Sequence, residues 1–220
     1  MILQDWKINL RDALQQPLPA EQAHIKAAPL ERIEGLENKK WPKDAKMSAV
    51  TFLLYPKDGC IYTLFMKRPI YSGVHSGQIS LPGGQKEKSD SHLLHTAIRE
   101  YKEETGLLLE ESNYLAPLSK LYIPPSNFLV QPYVAVVEKL GALTPDSREV
   151  QSLHEISLSE LFRSENYGLK EINLRDKKGI KLQVKAPCYQ VKGLRIWGAT
   201  AMLISELQMI FIKNGIPTNY

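Results

Sequence analysis

The 220-residue sequence predicts an α/β (α+β) protein, and three observations carry that expectation. Apolar, β-branched runs at residues 49–55 and 60–67 flank a Pro56-Lys57-Asp58-Gly59 turn, which is a hairpin signal. Residues 91–105 place Leu93, Leu94, Ala97, Ile98 and Tyr101 on one helical face and run into Gly106, a residue type suited to a helix C-cap. The strongly apolar stretch 199–212 reads as a helix, stopped by Gly215-Ile216-Pro217. Strands on both sides of a helix, with a long helix at the end, call for layered packing of sheet and helices.

Taken in order, residues 3–16 carry Leu3, Trp6, Ile8, Leu10 and Leu14, an imperfect helical stripe. Residues 17–42 are polar and punctuated by proline, and read as a connecting arm. The expected division is therefore an N-terminal helix and arm over 1–45 and a main domain over 46–220. The arm is expected to pack on that domain or on a partner subunit, the second option being a homodimer. After the hairpin, residues 78–81 form a short strand feeding Gly83-Gly84. Residues 114–122 and 128–138 read as strands joined across Pro124-Pro125-Ser126-Asn127. Residues 149–157 form another, followed by a short helix at 158–163. Residues 172–174 and 180–184 look like a β-pair around Asp176-Lys177-Lys178-Gly179. There is no internal repeat and no low-complexity segment.

Composition narrows the function classes. Apolar residues are 43% and charged residues 24%, ordinary values for a globular chain. A net charge of +4, scattered along the chain, does not argue for a nucleic-acid partner. No apolar run reaches the ~18 residues of a membrane span, and the amphipathic start is unlike a secretory signal. Cys60 and Cys188 lack metal-ligand or redox spacing and read as reduced thiols, consistent with a cytoplasmic location.

The chemistry concentrates between Gly83 and Leu107. Glu100, Glu103 and Glu104 stand at i, i+3 and i+4, so they project within an arc of roughly 100° on one helix face. Carboxylates about 6 Å apart repel by a few kcal/mol per pair at an effective dielectric near 20. A solvated acidic face with Arg99 and Lys102 as counterions is one reading of the crowding. The other is a cation held there, and hard oxygen donors favour Mg²⁺, with Mn²⁺ as substitute. Gly83-Gly84, after Pro82, permits unusual backbone angles and close approach.

These residues resemble the Nudix box, G-x5-E-x7-R-E-U-x-E-E-x-G-U, where U is a bulky apolar residue. Gly84, Arg99, Glu100, Glu103, Glu104, Gly106 and Leu107 match it. Tyr101 fills the first U loosely, and Asp90 replaces the upstream Glu, with eight residues before Arg99 instead of seven. The resemblance implies the Nudix fold, a mixed sheet packed between helices, and metal-dependent hydrolysis of a nucleoside diphosphate derivative. It implies Glu100, Glu103 and Glu104 as the metal face, with Glu100 either binding metal or orienting water, the Gly84 carbonyl as a further donor, and Arg99 as a group that holds a glutamate in place in preference to contacting substrate. Asp90 is expected to be structural, capping or salt-bridged, with metal contact as the alternative.

Upstream, Leu64, Arg68, Gly77, Pro82, Gly83 and Gly84 resemble the signature of coenzyme A pyrophosphatases, L-L-T-x-R-[SA]-x3-R-x3-G-x3-F-P-G-G. The lengthened box and the segment Ile196-Trp197-Gly198-Ala199-Thr200-Ala201 are similar to that branch, so the likeness spans residues 50–207. Gly73 stands where the signature has its second Arg. The implied substrate is coenzyme A or a derivative, with ADP-ribose or NADH as the alternative and a noncatalytic nucleotide-binding regulator as a further one. Arg68 is the candidate phosphate ligand, and Ser126 and Asn127 are candidate substrate contacts. His75 reads as a hydrogen-bonded loop residue in preference to a general base.

Overall fold

A computed structural model describes residues 3–37, 41–71, 75–175 and 181–220. Three helices come first: α1 (Leu3–Gln15), α2 (Ala20–Lys26) and α3 (Ile33–Glu37). Strands β1 (Lys46–Lys57), β2 (Cys60–Lys67), β3 (Ile79–Ser80) and β4 (Gly83–Gln85) lead to helix α4 (Leu93–Thr105). Next are β5 (Tyr114–Pro117), β6 (Leu121–Ile123), β7 (Phe128–Val136), β8 (Ser152–Ser157) and the short α5 (Leu158–Leu161). The chain closes with β9 (Tyr167–Arg175), β10 (Lys181–Val191), β11 (Leu194–Trp197) and α6 (Gly198–Lys213).

The main sheet is mixed. β1 runs parallel to β7 from Lys46↔Phe128 to Leu54↔Val136, and every other pairing is antiparallel. Its opposite edge is divided: β4 pairs along Ser48–Val50 and β2 from Leu54 to Lys57. Side chains alternate across the pleat. Phe52 and Leu54 of β1, with Ile61 and Phe65 of β2, join a cluster that includes Trp6, Leu10, Ile204, Leu207 and Phe211 from α1 and α6. Leu53, Tyr55, Leu64 and Ala135 face the other way and meet Tyr101 of α4. Both faces are covered, which is why β1 reads as an unbroken apolar run.

The expected hairpin, box helix and C-terminal helix are present, and the architecture is the expected mixed sheet between helices. Several segments differ. Residues 114–122 divide into β5 and β6, and the Ser119 N–H between them turns to donate to Glu206 Oε1 at 3.2 Å. The strand expected from residue 149 begins at Ser152. The β-pair expected around 172–184 is a three-stranded antiparallel sheet, order β11-β10-β9, reaching from Tyr167 to Trp197. Its β10–β11 turn is Lys192-Gly193, with φ of 49° and 76°, the positive pair of a tight hairpin turn. Lys-Gly is a weak turn signal, and Pro187 within β10 argues locally against a strand although Ala186, Cys188, Tyr189 and Val191 are buried. The expected turn at 176–179 lies outside the described residues.

The arm is also more than a connector. α2 lies within it and packs on α6, with Ala23 and His24 buried. His24 Nε2 is 2.9 Å from Glu206 Oε2, both side chains buried, and Ser205 Oγ donates to the Ala23 carbonyl at 2.7 Å. At seven residues, α2 is too short for periodicity to reveal. No helix among the described residues is long and apolar enough to cross a membrane.

Removing one partner of a buried pair strands the other in low dielectric. His24→Ala is therefore expected to lower unfolding free energy by about 3 kcal/mol. Urea denaturation checks this; a loss within about 0.5 kcal/mol, the range of surface substitutions, would contradict it.

Candidate active site

The geometry begins with two glycines. Gly83 has φ +148°, and a Cβ there would lie 2.2 Å from the Ala49 carbonyl oxygen. A Cβ on Gly84 would lie 2.4 Å from the Glu100 carboxyl carbon. Only glycine lets β4 pair with β1 while lying against the carboxylates of α4. The Gly83 N–H donates to Glu104 Oε2 at 2.7 Å, joining strand to helix. At the far end, Gly106 (φ 75°) ends α4 in the left-handed conformation, as its sequence position suggests.

Arg99 organises the remaining acids. Its Nε and Nη2 donate to Asp90 Oδ1 and Oδ2 at 3.1 and 3.0 Å, and Nη2 also donates to the Gln85 carbonyl. Its Nη1 donates to Glu100 Oε1 at 3.0 Å and Glu103 Oε2 at 2.9 Å. Asp90 is buried and also accepts from the Glu87 N–H and Thr96 Oγ1, so it is salt-bridged inside the loop that precedes α4. The guanidinium of Arg99 holds the Asp90 carboxyl far below the usual carboxylate range.

The three glutamates sit in unequal surroundings. Glu103 is half exposed. Burial pushes the Glu100 carboxyl up, against the pull of Arg99. Glu104 is 4% exposed, and burial pushes its carboxyl up to about 8. The Gly83 N–H and the charge of Arg68 oppose that rise, while Glu100 and Glu149 add to it. Glu149 is the acid that sequence reasoning missed, placed as the first residue of a strand. It sits in a turn where the N–H groups of Glu149 and Val150 both donate to the Asp146 carbonyl. From there its charge acts on Glu100 and Glu104. Nothing local in Asp146-Ser147-Arg148-Glu149 announces this approach.

Arg68 lies close enough to influence both Glu104 and His75. Its Nε is buried and has no hydrogen-bond partner among the described residues. His75 is bonded through Nδ1 to Gln78 Oε1 at 3.0 Å, and burial lowers its proton affinity. Asn127 (φ 55°) uses its side chain in the turn, accepting from Tyr122 OH and donating to Asp44. Ser126 bonds back to the Ile123 carbonyl. Among the described residues, neither is hydrogen-bonded to the carboxylate cluster. Gly73 lies outside the described residues.

Residues 45–180 match the NUDIX domain family, more than half of the chain. The chain belongs to the Nudix family. It is 32% identical over 157 residues to the mitochondrial coenzyme A diphosphatase NUDT8 of Homo sapiens, covering 70% of this chain and 63% of that one. The Mus musculus protein of the same name is 31% identical, covering 70% and 71%. An uncharacterized Nudix hydrolase, NudL, from Pectobacterium atrosepticum is 32% identical over 135 residues, covering 61% and 67%. Among solved structures, a MutT/nudix family protein from Enterococcus faecalis superposes with a TM-score of 0.53 over 90% of this chain and 76% of that one. At 16% identity that likeness concerns the fold.

Nudix hydrolases generally use divalent metals, and the donor set here fits one: three carboxylates on one helix face, all hard oxygen. Glu104, buried against two further acids, is the group a cation would satisfy. A carboxyl whose value rises from 4.5 unfolded to about 8 folded contributes stability that is complete below the lower value and lost as pH rises through the upper one. In EDTA, the protein is expected to lose on the order of a few kcal/mol between about pH 5 and pH 9 through this group. Glu104→Gln should remove that part of the slope and be the more stable form at about pH 9. Parallel stability–pH curves for the two proteins would contradict this.

Proposed function

We propose that the chain is a divalent-metal-dependent diphosphatase that cleaves coenzyme A or a coenzyme A derivative to 3′,5′-ADP and 4′-phosphopantetheine. The observation that carries the reaction type is the buried Arg68 Nε, without a hydrogen-bond partner among the described residues, placed near enough for its charge to act on the buried Glu104. An unpaired guanidinium donor beside an acidic cluster suits a ligand that brings phosphate and cation together. The substrate rests on the likeness to relatives named coenzyme A diphosphatase and on the sequence before the box. Free Cys60 and Cys188 accord with a reducing, cytoplasmic setting in the same reading.

Glu100, Glu103, Glu104 and the Gly84 carbonyl would hold Mg²⁺, with Mn²⁺ as substitute. When bound, the ion supplies charge neutralisation on the diphosphate and lowers the pKa of an attacking water. The protein's own groups do the positioning. Arg99, anchored by Asp90, keeps Glu100 and Glu103 facing the same space. Arg68 grips a phosphate oxygen, and burial keeps competing water from Glu104.

A second reading, a different nucleoside diphosphate derivative such as ADP-ribose or NADH, is favoured by Gly73, which removes a cation from the coenzyme A signature. The decisive comparison is kcat/KM for coenzyme A, 3′-dephospho-coenzyme A and ADP-ribose in Mg²⁺. Coenzyme A is expected to lead by at least about tenfold, or ~1.4 kcal/mol of transition-state binding. Preference for ADP-ribose would replace the first reading with the second.

Two variants test the residue roles. Glu104→Gln is expected to lower turnover by about two decades or more while remaining folded. Arg68→Ala should reduce kcat/KM by about one to two decades, with Arg68→Lys rescuing poorly because it lacks the planar fork. Unchanged kcat/KM in Arg68→Ala would make Arg68 a structural cation.

A further inference from the structure

The proposed reaction makes no use of the amino-terminal end of α4, where a second donor set gathers. His92 precedes the helix with extended backbone, and His95 follows at i+3, their rings 4.0 Å apart between centroids. Glu111 opens a 3₁₀ turn, Glu111–Asn113, and reaches across to both. Its Oε1 is 2.8 Å from His95 Nε2 and 4.0 Å from His92 Nε2. One donor atom from each residue lies within 4.8 Å of the other two. Among the described residues, this is the trio of His, Cys, Asp or Glu that converges so closely; the box carboxylates do not.

We propose that His92, His95 and Glu111 form a binding site for a borderline transition-metal ion, Zn²⁺ in particular, separate from the box carboxylates. Two imidazoles and one carboxylate, with a fourth position open to water, are a Zn²⁺ donor set; Mg²⁺ prefers all-oxygen surroundings. Tetrahedral bonds of about 2.0–2.1 Å place ligand atoms about 3.3 Å apart, a spacing bracketed by the 2.8 and 4.0 Å separations present. All three side chains are 42–57% exposed, so the small adjustment meets no packing barrier. With an ion on Nε2, the His95 Nδ1–H would donate to Ser91 Oγ, 2.8 Å away, and hold the ring in place; without one, Nε2 carries the proton toward Glu111.

The helix dipole disfavours a cation at this end of α4, and the Glu111 carboxylate offsets that. His95 and Glu104 are nine residues apart, about 13 Å along the axis, so one ion cannot serve both places. A bound ion would tie the start of the box helix, which has no side-chain cap, to the turn beyond its end. Its consequence is a stiffer mounting for the carboxylates.

The test uses the full chain in excess Mg²⁺, which competes with Zn²⁺ for the all-oxygen box carboxylates and favours its uptake at the nitrogen-containing set. Calorimetric titration with Zn²⁺ is expected to show one equivalent bound. Co²⁺ should give the intense visible absorption of a four-coordinate site. His92→Gln, His95→Gln and Glu111→Gln, checked for folding by circular dichroism, should each weaken Zn²⁺ uptake by at least about tenfold, in line with the loss of a ligand interaction. Their Mg²⁺-dependent hydrolysis without Zn²⁺ should stay within about twofold of wild type. The site is overturned if wild-type protein takes up no Zn²⁺ in Mg²⁺, or if His95→Gln takes up as much as wild type. What then stands is a hydrogen-bonded His–Glu surface pair. Because the readout is Zn²⁺ uptake, its failure leaves the coenzyme A reading intact, and the reverse also holds.

Discussion

The hydrogen bond from the Gly83 N–H to Glu104 is the contact on which the site depends. It places a carboxyl where water is excluded. The effective cost of burying such a charge is several kcal/mol, while a hydrogen bond to a charged group contributes only ~1.5–3 kcal/mol. One donor therefore does not offset the burial, and the carboxyl is pushed up to about 8 instead. Both Gly83 and Gly84 follow from this contact, since a side chain at either would push β4 away from β1 or α4. The strand, the helix and the acid form one mechanical unit.

Around that unit the charges divide by role. Arg99 is saturated by Asp90, Glu100, Glu103 and the Gln85 carbonyl, and so acts as scaffold. Arg68 has a buried Nε with no hydrogen-bond partner among the described residues, and in the proposed function it is the cation that meets the phosphate. Two arginines of similar prominence in sequence thus differ in what they have left to give. The same contrast separates Glu103, exposed and adjustable, from Glu104, buried and held.

The platform beneath explains why this arrangement is stable. β1 contributes to two apolar layers, one under α4 and one under α1, α2 and α6. The N-terminal segment shares the larger cluster, with Trp6 and Leu10 fully buried. Buried polar contacts from Glu206 to His24 and to the Ser119 N–H lock α2 and the β5–β6 corner onto α6. A mutation in the arm should therefore be felt as loss of core packing.

The box helix, the hairpin and α6 could be read from sequence because their signals are local: periodicity of 3.6 or 2, a turn, a C-cap glycine. The same locality placed Glu100, Glu103 and Glu104 on one face, while the place of Gly84 against Glu100 was implied by the resemblance to the Nudix box and is made by the packing of β4 on α4. Tertiary structure decided the rest. It brought Glu149 toward Glu100 and Glu104, gave Arg99 its full set of partners, left the Arg68 Nε without one among the described residues, and built α2 against α6. It also brought Glu111 back to His95, sixteen residues earlier. Those pairings depend on how strands register and where loops return, which neighbouring residues in a chain do not encode. Local pattern determined which groups share an element; only packing determined their burial, and burial determined their charge.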